Sequence, residues 1–249
     1  MAKEKMTGLL VNGSVRTAGV TFYTKNGKTV MRAATSNQPR RNSRSQFIAR
    51  QRMKHTTALW SALKDTEPMF SGGKSAYGRF CTLASTMPAV FTPRQGEYSN
   101  ATLLLPGMPV SDGTLPIVKQ SLGRADGTAA LVTELKANVL GRNEELRLYC
   151  LRQTEEGGTP KLRISYAAVP RRGEGSVGGN TYNVILQDDG TLALAGTCFA
   201  DDNTGWALVR IDGERCSSQT VVTRCRRYEA FTTDEAMRRS AESYGGLTD

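Results

Sequence analysis

The stretch Tyr182-Asn183-Val184-Ile185-Leu186-Gln187-Asp188-Asp189-Gly190-Thr191-Leu192-Ala193-Leu194-Ala195-Gly196 decides how most of the chain is read. Two runs rich in Val, Ile and Leu flank Asp189-Gly190, a dipeptide that readily takes the backbone angles of a tight hairpin turn. The stretch therefore reads as a β-hairpin. Working outward, residues 101–105, 129–135, 146–152, 161–169, 206–211 and 219–224 are further short apolar runs parted by Gly, Pro or Asp, and Asp212-Gly213 repeats the hairpin signature. With the two arms of the first hairpin, these eight runs predict an antiparallel β-sandwich or barrel. The glycine-rich residues 171–179 interrupt the pattern and read as a surface loop.

Toward the N-terminus, residues 20–24 and 28–32 flank Lys25-Asn26-Gly27 and predict another hairpin. A polar linker with Pro39, Arg40 and Arg41 follows. Ser43 and Gln46 then stand at capping-box spacing before a helix over residues 44–64, whose Ile48, Leu59, Ala62 and Leu63 share one face. Arg50, Lys54 and Ser61 project from another face, while Arg52 and His55 fall toward the apolar side. Residues 74–87 predict a second helix closed by Pro88, and an acid-rich start at Thr232-Thr233-Asp234-Glu235 predicts a last helix stopped by Gly245-Gly246. The expected fold is α+β but mainly β: a basic hairpin-helix region over 1–95, a sandwich or barrel body over 96–231, and a C-terminal helix and tail over 232–249.

The charge is unevenly placed. The chain carries a formal net charge of +10, yet residues 1–64 hold 13 Lys and Arg against the single acid Glu4, while residues 65–249 hold 20 against 22. Such asymmetry suits an arm that meets a polyanion or an acidic protein surface. Arg16, Arg32, Arg40, Arg41, Arg44, Arg50, Arg52 and Lys54 are its candidate contact residues, since guanidinium forks match phosphates and carboxylates. Three readings of this arm stand side by side: docking on neighbouring protein subunits, binding DNA or RNA through phosphates, and a solvated helix face whose arginines pair with the body. The nearby aromatics Phe22, Tyr23 and Phe47 fit strand and helix packing better than a base-stacking surface, which favours protein partners.

Motifs for chemistry are incomplete. Gly72-Gly73-Lys74-Ser75 ends like a phosphate loop, but Pro68 stands where the first glycine belongs. Gly173-Glu174-Gly175-Ser176-Val177-Gly178 matches a dinucleotide fingerprint in letters only, because a strand-like run rather than a helix follows it. His55 is the only histidine and lies on an Arg-rich helix, so a Ser/His/Asp arrangement has little to build on. The acid pairs Glu144-Glu145, Glu155-Glu156, Asp188-Asp189 and Asp201-Asp202 all sit at turns. Five dispersed cysteines, Cys81, Cys150, Cys198, Cys216 and Cys225, form no Cys-x-x-Cys pair and read as reduced, packed thiols. No enzyme activity, cofactor or metal is expected. No run approaches the roughly 18 apolar residues of a membrane span, so the expected setting is the cytoplasm, or a virion if the gene is phage-borne, with no membrane partner.

Residues 10–90 resemble an uncharacterised family, a domain of unknown function of gut Bacteroidetes and their phages. The resemblance rests on Gly13-Ser14-Val15-Arg16, the strand to Gly27-Lys28-Thr29-Val30-Met31-Arg32, the Asn/Pro/Arg linker, Gln46 with Arg50, and the apolar helix ending near Trp60 and Leu63. Two extra residues between Pro39 and Gln46 depart from the pattern. The resemblance implies a β-sandwich-like continuation and context more than function. Similar Pro/Arg-then-Gln/Arg-helix layouts look like those of phage structural proteins, which adds to the reading of the arm as part of a homo- or hetero-oligomeric assembly protein.

Overall fold

The computed structural model describes residues 14–17, 20–25, 28–33, 42–66, 70, 75–93, 102–156, 159–225 and 227–247. The chain divides into two units, residues 1–42 and residues 43–247. The first unit holds β1 (Ser14–Thr17), β2 (Val20–Lys25) and β3 (Lys28–Ala33), an antiparallel sheet in the order β1-β2-β3. Pairing of β2 with β3 runs from Val20↔Ala33 to Lys25↔Lys28, and the expected Asn26-Gly27 turn lies outside the described residues.

The second unit begins with α1 (Arg44–Leu63) and α2 (Ala76–Ala84), followed by β4 (Pro109–Ser111), β5 (Gln120–Ala125), β6 (Thr128–Lys136), β7 (Glu145–Glu156) and β8 (Thr159–Ala168). It continues through β9 (Gly173–Val177), β10 (Asn180–Leu186), β11 (Thr191–Ala195), β12 (Thr204–Asp212), β13 (Arg215–Cys216), β14 (Gln219–Thr220) and β15 (Val222–Thr223) to α3 (Arg227–Thr232) and α4 (Asp234–Glu242). Two antiparallel sheets form the body, one ordered β5-β6-β11-β10-β9 and the other β13-β12-β7-β8 with β15 also on β12. The expected α+β, mainly β fold with a sandwich body is what forms.

The second sheet is buried on both faces, and β12 displays the reason. Its Trp206 and Leu208 join Leu131, Leu148, Tyr182, Leu192 and Leu194 in the core between the sheets. The alternate residues Ala207, Val209 and Ile211 join Leu59, Leu63, Phe80, Tyr149 and Leu151 in a second core beneath α1 and α2. The body is thus three layers: helices, sheet, sheet. An unbroken apolar strand is the sequence mark of such a middle layer. The boundary expected near residue 95 falls inside the second unit, because α1 and α2 close this outer core.

Each longer helix starts on a hydroxyl cap, with Ser43, Ser75 and Thr233 accepting from the backbone N–H of Gln46, Gly78 and Ala236. At the other end of α4, Gly245 and Gly246 take φ of 93° and 80°, and the Gly246 N–H reaches the Ala241 carbonyl at 2.9 Å.

Three expectations are corrected. Residues 102–105 are no strand: the backbone N–H groups of Leu103 and Leu104 both donate to Gln153 Oε1, at 2.7 and 3.2 Å, so a side chain supplies what a neighbouring strand would. The glycine-rich loop contains β9, paired with β10. Gly175 there lies opposite Tyr182, whose ring would be 2.5 Å from a Cβ, so the missing side chain makes room for the aromatic. Finally β5, unexpected, forms a hairpin with β6 through Asp126-Gly127, whose φ angles are 49° and 76°.

Candidate functional site

The predicted basic residues separate into two groups with different surroundings. Arg16 on β1 and Arg32 on β3 both pair across Thr21 of β2, so backbone register sets the two arginines in one cross-strand row. Val15, Phe22 and Met31 occupy the adjacent row, and adjacent rows of a pleated sheet belong to opposite faces. Met31 is 66 % exposed. Arg40 and Arg41 lie outside the described residues.

The cations of α1 belong to the second unit and are largely engaged within it. Arg44, in the first turn, ion-pairs with Asp234 in the first turn of α4, Nη2 to Oδ1 at 2.6 Å. Lys54 Nζ donates to Thr92 Oγ1 at 3.3 Å and to Tyr244 Oη at 3.4 Å, just past the end of α4. These two ties, ten residues apart at each end, lay α4 alongside the first half of α1 in the same direction. Between them Phe47 packs on Phe91 and Tyr244, with Met237 and Ala241 completing a small core. Arg50 is exposed and its Nε returns to the Gln46 carbonyl at 3.3 Å. Arg52 is half-buried, and its Nε has no hydrogen-bond partner.

His55 is buried on the inner side of α1, as its place in the periodicity predicts. Burial holds its pKa down at about 4, against a hydrogen bond to the Leu103 backbone that acts the other way. Nε2 has no partner. A neutral, enclosed imidazole of this kind packs the helix against the 102–105 segment.

The acid pairs found in the sequence each contain members bound to internal cations or backbone. Glu144 forms a two-pronged pair with Arg210, Nε to Oε2 at 2.9 Å and Nη2 to Oε1 at 2.7 Å, and the side chains are 12 % and 10 % exposed. The Arg210 guanidinium holds the Glu144 carboxyl below the usual carboxylate range. Glu145 meets Arg147, Glu156 meets both Lys161 and Arg163, and Asp201 meets Arg152. Asp189 accepts from the backbone N–H and hydroxyl of Thr191, which lower its pKa and brace the hairpin turn. Sequence inspection missed Arg79, which pairs with Asp112 while Ser218 donates to the other oxygen of the same carboxylate. Its signal is absent locally, because Arg79, Asp112 and Ser218 meet only through the packing of α2, β4 and the segment before β14.

All five cysteines are free, and four of them are buried. Burial pushes the Cys150 thiol up to about 12 and the Cys198 thiol up to about 11, which leaves both protonated and unreactive near neutral pH. Among the described residues no group of three or more His, Cys, Asp or Glu side chains is placed to hold a metal ion, and no helix is long and apolar enough to cross a membrane. Comparison with protein-family models, with curated proteins and with solved structures finds no match for this chain, so the resemblance over residues 10–90 rests on the quoted residues alone.

Proposed function

We propose that this protein works by binding rather than catalysis, as an assembly protein whose N-terminal unit docks on neighbouring protein subunits. One observation carries the reading. The uncompensated positive charge is concentrated in residues 1–42, with eight Lys and Arg against Glu4, in a unit separate from the layered body. Surface ties from Arg44 and Lys54 to α4 sharpen this, since they engage part of the α1 charge within its own unit and leave Arg16, Arg32, Arg40 and Arg41 as the contact set. A small sheet whose register sets Arg16 and Arg32 in one row, and in which Met31 of the adjacent row is exposed, offers both charge and apolar contact to a protein partner. The engaged carboxylates and protonated thiols of the body support binding over catalysis. The proposed setting is a phage particle, at capsid, neck or tail, with cytoplasmic residence before assembly.

Light scattering on the full chain and on a variant with Arg16, Arg32, Arg40 and Arg41 changed to Ala tests this. Arg44 is left intact because it ties α4. The wild type is expected to associate and the variant to remain a folded monomer. Equal particle sizes overturn the proposal. So does binding of wild type to duplex DNA or RNA at low salt that falls steeply with added salt and vanishes in the variant, the signature of phosphate neutralisation.

A further inference from the structure

A cavity of about 400 Å³ opens at one end of the sandwich, and neither its apolar floor nor its charged mouth takes part in the arm. Leu146 and Leu208 come from one sheet, and Val184, Leu192 and Leu194 from the other, so the floor is the space between the two sheets themselves. This volume lies in the range of small-molecule sites, which pair an apolar interior with a few placed polar groups.

The mouth is built and braced. Residues 137–144 form one wall, locked from behind by the buried Arg210–Glu144 pair, by the Gly141 N–H on Glu144 Oε2 at 3.0 Å, and by Arg210 Nη2 on the Val139 carbonyl at 3.3 Å. Residues 169–172 form the other. Arg171 latches the walls together, its Nη2 reaching the carbonyls of Gly141 and Arg142 at 2.7 and 2.9 Å. Both acids at the mouth are matched inside the protein, Glu144 by Arg210 and Glu145 by Arg147. The guanidinium groups of Arg142 and Arg172, exposed at the same mouth, therefore leave it with surplus positive charge above an apolar interior.

We propose that this cavity binds an amphipathic anion, an alkyl chain or ring system ending in a carboxylate, with its apolar part between the sheets and its carboxylate against Arg142 and Arg172. Charge complementarity and the preformed floor select this class over a sugar or a nucleotide, whose hydroxyls and ring nitrogens would lie against the leucine and valine floor without polar partners there.

Decanoate is the probe, and decanol is its uncharged counterpart. Each is titrated into the full-length protein while Leu and Val methyl resonances are followed by NMR. The expected result is saturable shifts at Val184, Leu192, Leu194 and Leu208 with decanoate, and binding about tenfold weaker for decanol. Changing Arg142 and Arg172 to Ala, both at exposed positions, lowers decanoate affinity by about the same factor and leaves decanol unaffected. Leu192→Trp, which fills the floor, abolishes both, with fold retention read from the remaining resonances. Absence of saturable shifts, shifts confined to another part of the molecule, equal affinity for the two probes, or an arginine variant that binds decanoate undiminished each overturns the proposal.

Discussion

Acidification tests the packing of α1 through a single side chain. His55 is the only histidine in the chain, so between about pH 7 and pH 5 it is the one side chain whose ordinary titration falls inside the window. Its pKa drops from 6.5 in the unfolded chain to about 4 when buried under α1. Above pH 6.5 the ring is neutral in both states and costs nothing. As pH falls below that value the unfolded chain takes up a proton that the folded chain refuses, so stability declines until the folded pKa is reached. At 1.36 kcal/mol per pH unit, the full gap amounts to about 3 kcal/mol, of which about 2 kcal/mol is lost by pH 5. Urea unfolding at fixed ionic strength, followed by fluorescence of the buried Trp206 and of Trp60 on α1, reads this directly. His55→Gln keeps an amide for the Leu103 backbone and removes the titration, so its unfolding free energy is expected to stay flat over the same interval, whatever its absolute value. A wild type equally stable at both ends, or a Gln variant that keeps the full slope, refutes the reasoning.

Removing one side of the Arg210–Glu144 pair strands a buried charge, so Arg210→Ala is expected to cost about 3–5 kcal/mol in chemical denaturation, while Arg210→Met combined with Glu144→Leu recovers most of it. A single variant that unfolds like wild type contradicts the burial assigned to that pair. Gly175→Ala presses a methyl group into the Tyr182 ring, at 2.5 Å before relaxation, and is expected to destabilise by about 1–3 kcal/mol, read as a lower melting temperature. Pulse alkylation with iodoacetamide near pH 8, followed by mass spectrometry, is expected to leave Cys150 and Cys198 unmodified in the folded protein and to label them fully in urea; rapid labelling of either in the native state contradicts their protonated, buried condition.

Local grammar accounts for what was legible in the sequence. Asp189-Gly190, Asp212-Gly213 and the Ser43 cap are decided by a few neighbouring residues, and the structure places a turn or a helix start at each. The C-terminal helix was readable for the same reason, from its acidic first turn and its terminal glycines. Long-range substitution hid the rest. The apolar letters of residues 101–105 satisfy a strand template, but Gln153 takes the two N–H groups that would have sought a neighbour. Residues 173–177 look too rich in glycine for a strand until Tyr182 is known to lie across Gly175. As for the arm, sequence could locate the charge but could not divide it, because the partner of Arg44 lies 190 residues away at Asp234. The cavity had no sequence signal at all, being the gap between strands from two sheets.

The central claim is that binding resides in residues 1–42, and amide hydrogen exchange on the assembled wild type against the monomeric variant lacking Arg16, Arg32, Arg40 and Arg41 tests it most directly. The account predicts that assembly adds protection in peptides covering residues 14–41 and leaves the exchange of β7 and β12 unchanged. Protection gained across the body, with the N-terminal peptides exchanging alike in both proteins, would contradict it.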